Sequence, residues 1–208
     1  MKETYWQTID RIIGPATVEE FDEIGQKATR QAIEQFILDH SYPDTMLLDA
    51  GCNTGVEGYR LFQCGFPGLY VGVDSNLKAL THALKNLHGF RATVKLADLE
   101  SIGFPDRSFD IVLTKDVIEH AATYTAILGE LARLTKQWLI LSMFIKMHDH
   151  GDVIHREPEG FYHNRYHRRQ LYGFMAAQGF GEPRVVFEQG QDEVLVFERR
   201  ETDLSEAG

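Results

Sequence analysis

The stretch MLLDAGCNTG, residues 46–55, decides the fold of this chain. Its apolar start leads into Asp49 and then into small residues, and apolar residues at helical spacing follow directly. This order predicts a strand, a tight turn and a helix. Gly51 and Gly55 lack a Cβ, so the backbone of the turn can bend sharply and approach a ligand. The helix would direct the free N–H groups of its first turn at that ligand.

Three further apolar segments are predicted to be buried strands of the same sheet, at 69–74, 92–96 and 109–113. Polar residues close them, among them Asp74 after the second strand and Asp98 after the third. An acid at the tip of the second strand commonly accepts hydrogen bonds from the two hydroxyls of a ribose. The pattern therefore predicts a parallel sheet whose polar strand ends lie along one edge.

These segments together resemble the class I S-adenosylmethionine (SAM)-dependent methyltransferases, over residues 45–200. The loop 104–110, FPDRSFD, resembles the family's FPD-x-SFD lead into the fourth strand. A short link between 184–188 and 193–198 predicts an antiparallel hairpin, which is a trait of this family. The resemblance implies an α/β, Rossmann-like fold with a seven-stranded, mostly parallel sheet and a C-terminal antiparallel hairpin.

The segment before the methyltransferase domain, residues 1–44, is predicted to form an N-terminal helical cap. Apolar spacing predicts one helix over 18–39. In the resembling family such a helix lies over the cofactor and substrate cleft. For Tyr5 and Trp6 ordinary packing against the sheet is favoured, and lining of the substrate pocket is the alternative. The polar tail, 201–208, is predicted to be disordered.

Charge and composition narrow the function. A net charge of −10 argues against general binding of nucleic acid, because such binding requires a surface rich in basic residues. No apolar run approaches the length of a membrane span, and we expect no signal peptide. The cysteines, Cys52 and Cys64, are too few for a disulfide framework and indicate reduced thiols. The expectation is a cytoplasmic protein with a small-molecule partner, no nucleic acid and no membrane, its oligomeric state left open.

The resemblance implies that SAM is the cofactor and that the protein has a binding group for each part of the SAM molecule. Backbone at the glycine turn would approach the amino-acid tail and ribose, and acids would take the ammonium, the ribose hydroxyls and the adenine amino group. Each acid alone could be an ordinary cap or turn residue, and only the set favours a cofactor. Asn53 stands where the family has glycine, but asparagine tolerates a left-handed backbone. The predicted cofactor residues are Asp49, Gly51, Asn53, Gly55, Asp74, Ser75, Asp98, Leu99 and Lys115.

The segment after the fourth strand, DVIEH at 116–120, supplies candidate catalytic groups. A methyltransferase must align a nucleophile with the methyl group, exclude water and sometimes remove a proton. Asp116, His120 and His163 are the predicted catalytic residues. In the simpler interpretation this segment only begins a helix, where the helix dipole stabilises the negative charge of Glu119.

A metal site is the alternative interpretation of the same segment. Its layout resembles Mg²⁺-dependent 3′-terminal small-RNA 2′-O-methyltransferases and catechol-type O-methyltransferases of quinone synthesis, although an aspartate replaces the usual glutamate at the first ligand. A Mg²⁺ or Mn²⁺ ion would lower the pKa of an acceptor oxygen, and without it a histidine would act as base. The predicted ligands are Asp116, Glu119, His120 and His163.

An irregular insert, 145–166, follows the fifth strand and is rich in histidine. Long loops in compact domains are more often functional than idle. The segment 148–150, HDH, could supply a general base or could be a solvated loop. The basic residues Arg165, Arg168 and Arg169 could bind an acidic substrate, but ion pairs with acidic residues at the surface are favoured.

The predicted function is methyl transfer from SAM to a small-molecule acceptor at oxygen. Two alternatives remain open. A metal-dependent methyltransferase acting on RNA ends or another macromolecule would need a basic face. A non-catalytic SAM-binding module would have a blocked or absent substrate pocket.

Overall fold

The computed structural model describes residues 5–9, 12, 14–25 and 27–200, so the predicted disordered tail lies outside the described residues. Its helices are α1 (Tyr5–Thr8), α2 (Val18–Gly25), α3 (Ala28–Asp39), α4 (Val56–Gln63), α5 (Leu77–Asn86), α6 (Tyr124–Leu134) and α7 (Arg168–Ala177). Its strands are β1 (Met46–Ala50), β2 (Leu69–Asp74), β3 (Ala92–Leu96), β4 (Phe109–Lys115), β5 (Thr135–Met143), β6 (Arg184–Gln189) and β7 (Asp192–Glu198). A 3₁₀ turn spans Ile118–His120.

The strands form one seven-stranded sheet in the order β3-β2-β1-β4-β5-β7-β6. Strands β1 to β5 pair with one another in parallel, and β7 is antiparallel to both β5 and β6. Ala50, the last residue of β1, lies opposite Val73 of β2 and Thr114 of β4. The carboxyl ends of the central strands therefore meet at one edge, and the predicted α/β fold with a C-terminal hairpin is confirmed.

Two hydrophobic clusters cover the two faces of the sheet. Leu47 and Leu48 are neighbours in β1, so their side chains point to opposite faces, and both are fully buried. Leu48 belongs to a cluster with Leu131 of α6, while Leu47 belongs to a cluster with Ile33 of α3. Helices α3, α4 and α5 contribute to the second cluster, and α6 and α7 to the first. This double cover keeps the strand ends in fixed register.

One prediction about the N-terminal segment is wrong. The single helix predicted over 18–39 is divided, because α2 ends at Gly25 and α3 begins at Ala28. Glycine lowers helix stability more than any residue except proline, so apolar spacing alone extended the helix too far. The predicted free thiols are present, since Cys52 and Cys64 form no disulfide. In the part of the chain described, no helix has the length and apolar character needed to cross a bilayer.

Candidate functional site

The turn between β1 and α4 is the predicted cofactor turn, and it adopts the expected backbone. Gly51, Asn53 and Gly55 have φ values of 88°, 50° and 81°, all in the left-handed region. Asparagine reaches this region at modest cost, which explains its place in a position that the family fills with glycine. The N–H groups of Gly51 and Cys52 donate to the carbonyl of Val73 at 2.8 and 3.0 Å, which ties the turn to β2.

Asp74 closes β2 and joins the two sides of this turn. Its Oδ2 accepts the N–H of Asn53 at 2.9 Å, and its Oδ1 accepts the N–H of Asn76 at 2.8 Å. Burial raises the pKa of Asp74 above its ordinary value, while the backbone N–H groups oppose that rise. A carboxylate has about four lone-pair sites, so both oxygens can accept further hydrogen bonds. The half-buried Ser75 follows, also at this strand end.

Asp49 lies beneath the turn rather than in the open. Only 1% of its surface is exposed, and its Oδ2 accepts the phenol O–H of Tyr70 at 2.6 Å. Burial raises the pKa of Asp49 to about 7, and the hydrogen bond from Tyr70 works against that rise. The carboxyl thus has its nearest partner inside the core.

The residues predicted for adenine lie at the end of β3, one strand further out. Asp98 and Leu99 are both half-buried. The Oδ1 of Asp98 accepts the N–H of Glu100 at 3.0 Å, which folds the chain back after the strand. Because β3 is parallel to β2, Asp98 follows its strand at the same edge of the sheet as Asp74.

The segment after β4 brings two further predicted groups to the sheet edge. Lys115 Nζ forms an ion pair with the Asp116 carboxylate, which is 34% exposed. Asp116 has φ 56°, and this left-handed residue turns the chain out of the strand. Val117 then packs on the cofactor turn, because a Cβ built on Gly51 would lie 2.4 Å from its Cγ2. The segment after β4 therefore touches the turn after β1.

Glu119 points into the core instead of opening a helix at the surface. Its residue is fully buried, and its Oε1 accepts the N–H of Phe144 at 2.9 Å. Burial raises the pKa of Glu119 to about 8, and the negative charge of Asp116 adds to the rise. The carboxyl therefore links the segment after β4 to the end of β5.

His120 lies in a group of rings that we call the aromatic cluster. Its Nδ1 bonds to the carbonyl oxygen of Tyr162 at 2.8 Å, which makes Nδ1 the protonated nitrogen and leaves the Nε2 lone pair free of that contact. Burial lowers the pKa of His120. Rings of neighbouring members lie 5.0–6.1 Å apart. The aromatic cluster consists of Tyr5, Trp6, His120, Phe144, Phe161 and His163.

The N-terminal aromatic residues are placed differently from the favoured prediction. Tyr5 packs on Phe161 with 5.1 Å between ring centroids, and Trp6 packs on His120 at the same distance. They therefore contact the ends of β4 and the insert rather than the face of the sheet. The alternative, that they line the substrate pocket, stays a prediction.

Asn164 attaches the insert to the segment after β4. Fully buried, it donates its Nδ2 to the carbonyl of Ala121 at 2.7 Å and to the Tyr166 phenol at 2.9 Å. Its backbone N–H donates to the carbonyl of Glu119 at 2.9 Å, and its Oδ1 accepts the N–H of His155 at 3.1 Å. This residue could not be predicted from the sequence, because an asparagine in a polar loop carries no signal beyond its flanking tyrosines.

The structure corrects the prediction of a Mg²⁺ or Mn²⁺ site. Within the described residues, which include all four predicted ligands, no three His, Cys, Asp or Glu side chains could hold a metal ion. The Glu119 carboxyl is enclosed in the core, and Nδ1 of His163 bonds to Glu157 at 2.8 Å. Each of the four predicted ligands is bonded to another group instead: Asp116, Glu119, His120 and His163.

The remaining histidines and arginines in and beside the insert differ in their exposure and in their ion pairs. His155 is exposed beside Glu157, and His150 is exposed. Arg168 forms an ion pair with Glu193, which is fully buried, so the predicted pairing with an acid is present but its partner is internal. Arg169 is exposed.

Comparison with known proteins supports the same fold and one family. The sequence model of a family described as "Methyltransferase domain" matches residues 42–151, slightly more than half of the 208 residues. Phosphoethanolamine N-methyltransferase 3 of Arabidopsis thaliana is 25% identical over 194 residues, covering 88% of this chain and 37% of that protein. The chain spans 19% to 42% of the length of the curated relatives that it matches.

Two solved structures share the architecture. Magnesium protoporphyrin IX methyltransferase of Synechocystis PCC 6803, with bound SAM, has a TM-score of 0.64 and 21% identity, covering 94% of this chain and 90% of that one. The 1,6-didemethyltoxoflavin-N1-methyltransferase of Burkholderia thailandensis was solved with bound 1,6-didemethyltoxoflavin and S-adenosylhomocysteine. It has a TM-score of 0.64 and 14% identity, covering 86% of this chain and 81% of that one. Likeness at these identities establishes the fold.

Proposed function

The chain belongs to the methyltransferase domain family, and on that basis we propose that it is a SAM-dependent enzyme that methylates a small-molecule acceptor at oxygen. The observation that carries the proposal is the hydrogen bond from the N–H of Asn53 to Asp74 at 2.9 Å. It holds the left-handed turn after β1 against the acid that ends β2. A backbone turn and an acid in this arrangement suit a ribose and the charged tail attached to it.

On the cofactor side, this chain supplies binding groups at three neighbouring strand ends. The backbone of the turn from Gly51 to Gly55 would hold the amino-acid tail, and Asp74 would accept the ribose hydroxyls. Asp98, with the backbone of Leu99, would hold the adenine. SAM supplies a methyl group already activated by its sulfonium. Asp49, whose enclosed carboxyl bonds to Tyr70 beneath the turn, would attract the ammonium group of the cofactor.

On the acceptor side, His120 is proposed as the general base. Burial lowers its pKa, so the imidazole is neutral near pH 7 and can take a proton. Its Nδ1 is held by the carbonyl of Tyr162, which leaves Nε2 for the acceptor. A hydroxyl must lose its proton when its oxygen is methylated, so a neutral imidazole suits an oxygen acceptor. His163, with its ring centroid 5.3 Å away, would position the same group.

The acceptor is proposed to be a small molecule. The aromatic cluster offers ring faces that bind an organic group and exclude water. The relatives named above act, by their names, on phosphoethanolamine, magnesium protoporphyrin IX and 1,6-didemethyltoxoflavin. We carry from them the class of acceptor and not its identity.

The N-terminal residues 1–44 are proposed to cap the domain of residues 45–200. The carbonyl of Pro15 accepts the Thr54 hydroxyl at 2.8 Å, beside the cofactor turn. The carbonyl of Ala16 accepts Asn86 Nδ2 at 3.0 Å. Trp6 lies on His120 at the other end of the same segment. These contacts span the cofactor and acceptor sides, as a cap would.

Calorimetry with S-adenosylhomocysteine tests the cofactor part. Asp74→Asn should weaken binding by roughly 10- to 150-fold, because hydrogen bonds to a charged group contribute about 1.5–3 kcal/mol. Asp44→Asn is the control, since Asp44 is exposed and precedes β1 at the opposite edge of the sheet. Folded wild-type protein that gives no binding heat, or equal weakening in both variants, would overturn the proposal.

A turnover assay tests the rest. Wild-type protein is incubated with SAM and a panel of hydroxyl, phenol, amine and carbon acceptors, and release of S-adenosylhomocysteine is measured. Turnover with hydroxyl or phenol acceptors is expected. Turnover confined to amines would overturn the assignment to oxygen, and binding without any turnover across the panel would favour a non-catalytic module.

A further inference from the structure

A cavity of about 570 Å³ lies between the insert and the turn that joins β6 to β7. Its volume falls within the range of about 300–1,000 Å³ typical of small-molecule sites. No aspartate or glutamate stands among the described residues that line it, although the whole chain carries a net charge of −10. The lining residues that matter here are Phe144, His148, His150, His163, Arg165 and Gln191.

Arg165 is the cation of this cavity. Its Nη2 donates to Oε1 of Gln191 at 3.1 Å, which fixes the side chain with a neutral partner. Its backbone exchanges two hydrogen bonds with Val153, at 2.8 and 2.9 Å. No carboxylate of the described residues pairs with its guanidinium, in contrast to Arg168, which is neutralised by buried Glu193. Arg165 therefore retains charge and donor groups for a ligand.

Three histidines add further hydrogen-bonding groups to the same lining. His148 Nδ1 accepts the N–H of His150 at 3.1 Å, which places the proton of its neutral ring on Nε2. That Nε2 is enclosed by the protein and has no hydrogen-bond partner among the described residues, so its N–H is unsatisfied. The His150 ring lies 5.8 Å from that of His148. A guanidinium with several imidazoles can share the three oxygens of a phosphoryl group.

The cavity adjoins the proposed site of methyl transfer. Phe144 and His163 line the cavity and also belong to the aromatic cluster. Their ring centroids lie 5.2 and 5.3 Å from that of His120. One molecule of moderate size can therefore place one end in the cavity and the other beside His120.

We propose that this cavity binds the phosphoryl group of the methyl acceptor, so that the acceptor is a small phosphomonoester. The inference rests on the proposed function, because it names the substrate class of that same site. The apolar lining from Phe144 accommodates the organic part next to the anionic group. The phosphoryl group lies at Arg165, away from the cofactor turn, and the atom to be methylated lies at His120.

The test is calorimetric titration with phenyl phosphate at constant ionic strength, with and without S-adenosylhomocysteine. Arg165→Gln should weaken binding of phenyl phosphate at least tenfold and leave binding of S-adenosylhomocysteine within twofold. Arg169→Gln is the matched control, because it removes the same charge from an exposed arginine outside the cavity lining, and it should change neither affinity. Phenol should bind more weakly than phenyl phosphate, and benzoate shows whether a carboxylate substitutes for the phosphoryl group.

Several results would overturn the inference: no binding of phenyl phosphate, equal loss in both arginine variants, or binding of phenol or benzoate as tight as that of phenyl phosphate. Should Arg165→Gln fail to fold, as judged by circular dichroism, His150→Gln decides the matter. His150 is exposed, so its substitution is compatible with folding, and it should weaken phenyl phosphate binding at least threefold. An unchanged affinity in that variant contradicts the inference. If the wild-type protein does not bind S-adenosylhomocysteine, that result counts against the proposed function alone. Phenyl phosphate is also titrated in the absence of S-adenosylhomocysteine, so its binding is measured independently.

Discussion

The carboxyl of Glu119 accepts the backbone N–H of Phe144 at 2.9 Å inside the core, and this hydrogen bond joins the segment after β4 to the end of β5. Burial raises the pKa of Glu119 to about 8, so the group carries its proton at neutral pH. His120 follows it directly in the chain and belongs to the aromatic cluster. The buried acid therefore supports the position of the proposed base.

The free energy of unfolding should fall as pH rises from about 5 to about 8, because folded Glu119 keeps a proton that the unfolded chain, with a glutamate pKa of about 4.3, has lost. One such proton contributes a slope of about −1.4 kcal/mol per pH unit. Glu119→Gln should flatten the slope by that amount, measured by urea unfolding followed by tryptophan fluorescence. Glu188→Gln is the control, because its pKa is lowered by Lys146. An unchanged slope in Glu119→Gln would show that this carboxyl is ionised in the folded protein.

His120→Gln should reduce turnover on the acceptor by about 10² to 10⁴-fold, the usual contribution of a positioned general base. Binding of S-adenosylhomocysteine should stay within twofold, since His120 lies on the proposed acceptor side and not at the cofactor turn. Because burial lowers the pKa of His120, wild-type turnover should decline only below the ordinary histidine pKa of about 6.5. His155→Gln, at a side chain that is 63% exposed, should have full activity. Equal losses in the two variants would refute the role of His120.

Gly51→Ala should sharply weaken binding of S-adenosylhomocysteine, for two separable reasons. Its Cβ would meet Val117 Cγ2 at 2.4 Å, and its φ of 88° is strained for alanine by about 1–2 kcal/mol. Adding Val117→Ala should recover part of the affinity, because it removes the clash and leaves the strain. Calorimetry on the two single variants and the double variant measures both parts. The absence of any recovery would mean that the segment after β4 does not press on the cofactor turn.

Asn164→Ala should lower the free energy of unfolding by about 2–3 kcal/mol, because it leaves buried partners without hydrogen bonds. The insert should also become a site of limited proteolysis between about residues 148 and 163, since its attachment to Ala121 and Tyr166 is lost. Urea unfolding and mass spectrometry of the cleavage products report the two effects. Asn86→Ala removes an asparagine bonded to the carbonyls of Ala16 and Thr54 instead, and the insert should stay resistant. Cleavage of the insert in both variants would contradict the assigned role of Asn164.

The amino-acid sequence by itself determined the sheet and the turn that is proposed to bind the cofactor. Strand, turn and helix signals around residues 46–55 are local, because glycine and asparagine are the residues that reach a left-handed backbone at low cost. Parallel strands that end in acids then bring those acids to one edge without any knowledge of packing. Asp74 and the turn it holds could be predicted for this reason.

Only the tertiary structure decided how the residues of the proposed acceptor side are arranged. Helical spacing suggested that Asp116 and Glu119 would share a point with His120, but burial turned the Glu119 carboxyl into the core and an ion pair held Asp116. The link through Asn164 and the unpaired charge of Arg165 depend on segments distant in sequence. Spacing along a chain cannot specify which way a polar group in a loop will face, because that direction is set by desolvation and by partners that only folding brings within reach.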